Sequence, residues 1–442
     1  MTGDDILAHG IGGAKDLPIP PELAIAGAVA ALTISFTVLA LAWRAPRFAT
    51  SQARNAPPRL TALVDSAGFR LAVRLFGFAV FAWALLAAVF GKDVLINPFF
   101  GMFYVLLWVG VVPLSLLFGP FYKAVSPVRT INHLFAKVSG SDPDEGLFHY
   151  PDSLGHWPAA LGLYAFVWLE LVYPSSTQLG PVRLWFAVYV AAMLIGGALF
   201  GNRFYERADP FEVYSTLVGH LSVWGRDPDT GALVLRTPMA NLSHVTPRPG
   251  LVAVVAAMFG STAFDSFKDS SVWLRHIQST SVSPLLQNNL MLLTFCVVVA
   301  VLFSAATAAT GVSAGQSRRS LPALFAHSMV PIVVGYIAAH YLSYLLEEGQ
   351  RTLIQMSDPF TRGDNYLGTA NWSVNYWLSY HATLLASIKV LAVVGGHVLG
   401  VVAAHDRAIE LLPRRHQLTG QLPLLVVMVS FTISGLYLLF AA

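Results

Sequence analysis

The chain has 442 residues, of which 55% are hydrophobic and only 12% are charged, and its formal net charge is +3. A soluble domain carries about 25% charged residues, so a chain this depleted cannot cover itself in water, and a large soluble core is excluded. The basic residues are spread over many short connections rather than gathered in a run, which argues against nucleic acid as a partner. The expected solvent is the lipid bilayer.

The N-terminus reads Met1-Thr2-Gly3-Asp4-Asp5, acidic where a removable signal peptide needs lysine or arginine. Ten apolar segments follow, near 22–46, 70–91, 101–121, 157–174, 182–202, 249–265, 288–312, 321–346, 375–403 and 420–441. Most approach the ~20 residues that a membrane-crossing helix needs, and most are bounded by proline, glycine or charge. The sixth is short, and by length alone it could be re-entrant. Charge argues that it crosses. Arg44, Arg47, Arg54, Arg59, Arg70 and Arg74 follow the first segment, and Arg203, Arg207, Arg226, Arg236 and Arg248 follow the fifth. Arg318 and Arg319 follow the seventh, and Arg407, Arg414 and Arg415 the ninth. All fall on one side only if the sixth segment spans, and the positive-inside rule makes that side the cytoplasm.

The expected fold class is therefore all-α: a polytopic membrane helix bundle of about ten transmembrane helices, with the N-terminus and C-terminus outside. It forms a single integral domain over 1–442 in the cell's inner (plasma) membrane. The connection 205–248 is expected to be cytoplasmic and to carry an interfacial amphipathic helix at 210–224, with Val213, Leu217 and Leu221 at helical spacing. The segment 347–372 is the long external loop, either a lid or binding element or a solvated connector.

Charge at membrane depth costs at least about 2.5–3.5 kcal/mol per group on insertion scales, so it needs a reason. Lys389 lies mid-way along the ninth segment, Glu170 in the outer third of the fourth, and Asp265 closes the sixth. Either they pair to hold helices together or they line a cavity. The histidines extend the pattern. His340 and His381 are expected at the outer level of the eighth and ninth segments, and His327 and His397 at the inner level. Tyr344 and Glu347 follow His340 at i+4 and i+7, on one helical face.

His340, His381, Asp265 and Glu347 are the residue types that hold a divalent metal such as zinc or manganese with a position left open for water. Such a metal would make a hydroxide nucleophile near neutral pH. His340, His381, Lys389, Asp265 and Glu170 form the candidate catalytic set. No compact metal motif such as HExxH is present, and an intramembrane histidine also serves as a hydrogen-bonding partner between helices. A b-type haem protein is a further reading. However, His327 and His340 are 13 residues apart, about 140° around a helix, where stacked haems need ligands on one face. Cys296, the single cysteine, reads as a packed membrane thiol.

Several stretches resemble one family. They are AHGIGGAKDLPIP at 8–20, ERADPF at 206–211, GSTAFDSF at 260–267, HSMVPIVVGYIAAHYLSYLLEEGQ at 327–350, SDPF at 357–360 and GHVLGVVAAHDRAIEL at 396–411. In this order they resemble the actinobacterial multi-pass membrane proteins called fenitrothion hydrolases, and the resemblance covers most of the chain. It implies hydrolysis of an apolar organophosphorus triester at the membrane. His9, Asp265, His327, His340, His397, His405 and Asp406 fall within these motifs, whereas Lys389, His381 and Glu170 rest on the residues alone. The competing class is a secondary transporter or metal-handling permease, for which buried charge and helices broken at Pro331, Gly395 and Gly396 are equally natural.

Overall fold

The computed structural model describes residues 16–49, 51–227, 229–311, 316–413, 416–417 and 419–440. His9 lies outside the described residues. Every apolar segment recurs as a helix. They are α1 (Pro21–Ala42), α2 (Ala67–Phe90), α3 (Pro98–Val109 continued by Val111–Phe118) and, after the short amphipathic α4 (Pro127–Ser139), α5 (Trp157–Leu171) and α6 (Leu179–Phe200). Then come α7 (Pro210–Gly219), α8 (Leu251–Lys268), α9 (Pro284–Ala308), α10 (Arg318–Gln355), α11 (Ala382–Leu411) and α12 (Thr419–Phe440). Among the described residues, eight helices are long and apolar enough to cross a membrane, and nine if the bent α3 counts as one span. Helix α5 is apolar but shorter. The chain is a multi-pass membrane protein of the all-α class with almost no strand, and the sixth segment is a continuous 18-residue helix.

Local chemistry sets the helix ends. Ser66 accepts from Phe69 N to start α2, Ser126 from Arg129 N to start α4, and Asp209 from Phe211 N and Glu212 N to start α7. The 42° bend in α3 falls at Gly110. Pro113 three residues on has no N–H to return to Val109, so the ladder breaks there. The strands are brief. Arg54–Asn55 (β1), Trp224–Arg226 (β2) and Leu233–Leu235 (β3) form an antiparallel sheet in the order β1-β3-β2.

Large apolar side chains stand on the outer faces, among them Leu41, Phe76, Leu184 and Leu391, each at least 60% exposed. In water that surface would aggregate, whereas in a bilayer it is solvated. Two helices differ from the rest. In α8 and α10, 72% and 78% of the most apolar stretch is buried, against 22–44% in the other six spans. These are the helices that carry Asp265 and His340.

The residues group into two compact units. One comprises Met1–Thr50, Val255–Glu347 and Val374–Ala442, and the other Ser51–Val254 and Glu348–Ser373. In the first, α1 packs on α11 and α12, and α9 packs on α12. Helices α10 and α11 approach backbone to backbone. A Cβ on Gly396 would lie 2.5 Å from Pro331 O, one on Gly335 would lie 2.4 Å from Ala392 O, and one on Gly400 would lie 2.8 Å from Ser328 O. Gly396→Ala should therefore cost about 1–3 kcal/mol through overpacking, read as a lowered unfolding midpoint in detergent. Full retention of the midpoint would contradict this close approach.

In the second unit, α7 is the core helix rather than an interfacial one. Phe211, Tyr214 and Val218 are fully buried, as are Val213 and Leu217 at 2% and 4% exposure, so its apolar surface runs all round. Phe211 meets Phe166, Trp185 and Tyr189 edge-on with ring centroids 5.4–6.3 Å apart. This is the favoured geometry for aromatic quadrupoles.

Candidate functional site

Asp265 and His340, two of the three buried candidates, meet. Asp265 is 1% and His340 4% exposed. His340 Nε2 lies 2.9 Å from Asp265 Oδ2, and Tyr341 donates its hydroxyl to the same oxygen at 2.8 Å. Lys268 Nζ stands 3.5 Å from Asp265 Oδ1, one helical turn along α8. On the far side of the imidazole, His340 Nδ1 lies 3.0 Å from Ser266 Oγ. Ser266 donates to Thr262 O at 3.2 Å and accepts from the Tyr336 hydroxyl at 3.0 Å. An imidazole is thus suspended between a buried carboxylate and a serine hydroxyl, at hydrogen-bond distance from both.

Proton bookkeeping defines what this chain can do. With His340 neutral and its Nε2–H given to Asp265, Nδ1 carries a lone pair. Ser266 can then turn its proton from Thr262 to that nitrogen. With His340 protonated, both ring N–H groups donate, to Asp265 and to Ser266, and Ser266 keeps its bond to Thr262. Both states are hydrogen-bonded, so His340 can take up or release a proton without orphaning a buried group, and a proton passed to it from Ser266 leaves an oxyanion that accepts from His340 Nδ1–H and the Tyr336 hydroxyl.

Sequence reasoning named Asp265 and His340 but missed Ser266, Tyr336, Tyr341 and Lys268. The signals were at hand: Ser266 stands inside GSTAFDSF, and Tyr336 lies at i−4 of His340. Tyr344 and Glu347, expected to share the working face, are placed elsewhere. Tyr344 packs against the Tyr341 ring, and the Glu347 carboxylate accepts from Ser379 Oγ.

The expected levels of the histidines need correction. Since Gly335 faces Ala392 and Gly396, and Ser328 faces Gly400, the antiparallel register puts Lys389 level with His340 and His381 level with Glu347. His381 is eight residues further out than Lys389, about 12 Å. It stands on the surface just before α11, with Nδ1 2.6 Å from Trp377 O and its ring over Trp377 rather than capping the helix. Lys389 is buried and has Asp16 as an electrostatic partner. Glu170 belongs to the other unit, where its electrostatic neighbours are Tyr104 and Tyr214.

Of the four side chains expected to hold a metal, Asp265 and His340 meet each other, while Glu347 and His381 engage other partners. Among the described residues no three His, Cys, Asp or Glu side chains are grouped to hold a metal ion. The backbone contact of α10 with α11 leaves no room for a macrocycle between them. His327 Nδ1 and His397 Nδ1 lie against carbonyls of their own helices, Leu324 O and Val393 O. His405 and Asp406 hold the chain that follows α1: Asp406 accepts from Trp43 Nε1 and from the backbone N–H groups of Arg47 and Phe48, and His405 Nε2 lies 3.0 Å from Trp43 O. Cys296 is buried, as expected.

The ERADPF stretch builds a second polar network, in the other unit. Arg129 clasps Glu212 with both arms of its guanidinium, at 2.5 and 2.6 Å, and Arg207 reaches Asp152 at 2.6 Å. Asp209, fully buried, caps α7 and accepts the Tyr189 hydroxyl at 3.0 Å. Burial first, and the neighbouring Glu212 second, push its carboxyl up from 3.8 to about 7. A carboxyl raised on folding favours the fold while it is protonated, so this contribution is full below about pH 4 and lost as pH rises through about 7. The unfolding midpoint of the wild type should fall over that window relative to Asp209→Asn, which keeps the cap but cannot ionise. Parallel pH profiles for the two proteins would refute this assignment.

The chain matches no protein-family model, no curated protein and no solved structure.

Proposed function

We propose that the protein is a membrane-embedded hydrolase of apolar esters in the inner membrane, acting on organophosphorus triesters, the class implied by the motif resemblance. The observation that carries this reading is the imidazole of His340 held between Asp265 and Ser266. An apolar triester partitions into lipid and reaches the end of α8. Ser266 Oγ attacks phosphorus as His340 Nδ1 takes its proton, and the P–O bond to the aryloxide breaks as His340 gives that proton to the leaving phenol; water, giving a proton to His340, then attacks phosphorus, and Ser266 Oγ leaves with that proton. Asp265 holds the His340 ring and balances the imidazolium, while Tyr341 and Lys268 hold Asp265. Lys389, at the same level, is the cation proposed for charge developing on the phosphoryl oxygen. His381, Glu347 and Glu170 have no part in this sequence. A metal on His340 would have to displace Asp265 or Ser266.

The test is aryloxide release from a dialkyl aryl phosphotriester by the detergent-purified protein. Turnover by the wild type and its loss in Ser266→Ala support the serine route. Turnover surviving in Ser266→Ala but lost in His340→Ala would instead make His340 a base for direct attack by water.

One observation favours a second reading, proton-coupled secondary transport. Both ring nitrogens of His340 and the Ser266 hydroxyl are already satisfied inside the protein, as in a proton-carrying site. That reading predicts no turnover in detergent and proton movement in sealed vesicles that is lost in His340→Ala.

A further inference from the structure

The second unit contains a cavity of about 740 Å³, unrelated to the Asp265–His340 site, and its wall has an unusual charge. Arg70, Arg74, Lys123, Arg226 and Arg236 line it, and none of its described lining residues is Asp or Glu. Two of the five cations are already paired. Arg226 holds Asp65 at 2.7 and 3.1 Å, and Lys123 holds Glu206 at 2.6 Å. The side chains of Arg70, Arg74 and Arg236 make no hydrogen bond or ion pair among the described residues, and Arg236 Nε is buried without a partner. Arg70 and Arg74 stand at i and i+4 on α2, where like charges repel. Both lie toward the N-terminal end of that helix, where the backbone adds no compensating negative charge. Asp65 and Asp227 act on Arg70 and Arg236 only at a distance, so three guanidinium groups on one cavity wall, none hydrogen-bonded to a counter-ion among the described residues and one with a buried donor, call for an anion.

The rest of the wall says what the anion is attached to. Val64, Phe69, Val73 and Phe118 make it largely apolar, with Phe69 39% and Phe118 61% exposed. Phe118 ends the bent span α3, and Trp224, whose Nε1 donates to Leu117 O, supplies an amphipathic ring of the kind that sits at a membrane interface. A free oxyanion would leave this apolar surface unused. We infer that the cavity binds an anionic phospholipid, its phosphate on Arg70, Arg74 and Arg236 and its acyl chain along the apolar wall. Arginine-rich connections and anionic lipid are both characteristic of the cytoplasmic leaflet. His220 and His244, each with Nδ1 2.7 Å from a backbone carbonyl, turn Nε2 away from that carbonyl on the same cavity wall.

The test is native mass spectrometry of the full-length protein in non-ionic detergent with phosphatidylglycerol or phosphatidylcholine. The expected result is one phosphatidylglycerol retained in preference to phosphatidylcholine, with affinity about five- to tenfold weaker in Arg236→Gln and in Arg70→Gln. Raising salt should release it from the wild type, a readout that does not depend on a variant folding. Equal retention of the two lipids, unchanged affinity in both variants, or retention independent of salt would overturn the inference. Complete displacement by inorganic phosphate would also overturn it and make the site one for a free oxyanion.

Discussion

Arg129→Ala should cost the fold about 3–5 kcal/mol, the usual penalty for removing one partner of a buried ion pair. Glu212 is 1% exposed and sits in the core helix α7, so without Arg129 its carboxylate would be a buried charge held by nothing of opposite sign at bonding distance. Arg129 also donates to Asn202 O at 3.2 Å and lies over the Tyr205 ring at 5.2 Å, so the truncation loses packing as well as charge. The cost should be largely recovered in Arg129→Met combined with Glu212→Leu, since replacing both partners by apolar groups of similar volume is often neutral. Chemical unfolding in detergent of the two single variants and the double variant measures this directly. A double variant as unstable as Arg129→Ala would mean that the pair matters for more than its charge.

Asp265→Asn should leave the fold nearly intact and lower triester turnover by about 10⁴-fold, the loss seen when a triad carboxylate is neutralised and the imidazole takes the wrong tautomer. The shape is kept, and Asn Oδ1 can still accept from Lys268, which leaves the amide N–H₂ where His340 and Tyr341 approach. What changes is the ring: an amide N–H₂ facing His340 Nε2 forces the proton to Nδ1, the nitrogen that must be a base toward Ser266. Removing the ring in His340→Ala should cost at least as much, and the Asp265→Asn/His340→Ala double variant should be little worse than His340→Ala, because the residues act as one unit. Additive losses would mean that Asp265 acts elsewhere.

Much of the fold is legible in the residues because a bilayer imposes one rule, an apolar run ended by turn chemistry or charge. All ten runs recur as helices, and the break in α3 falls where Gly110 and Pro113 stand. Helix α7 was harder to read. Val213, Leu217 and Leu221 share a face, yet Phe211, Tyr214 and Val218 fill the others, and a helix apolar all round belongs in a core. The site was half legible. Charge at membrane depth points to Asp265 and His340, but the pairing of His340 with His381 fails because relative depth depends on where two helices touch. Gly335 and Gly396 set that contact, and a span boundary does not reveal it. Ser266 and Tyr336 were hidden for a similar reason. A serine four residues from a carbonyl on its own helix usually bonds that carbonyl, and only the rotation of α10 against α8 brings His340 Nδ1 within 3.0 Å of it.

The central claim is that Ser266 is a nucleophile activated by His340, and covalent capture tests it most directly. The purified protein would be treated with an organophosphorus fluoridate, and the adduct read by intact mass and by peptide mapping. One phosphoryl adduct on Ser266, absent from His340→Ala and Asp265→Asn, is the predicted result. An unmodified wild type, or equal labelling of Ser266 in His340→Ala, would contradict it.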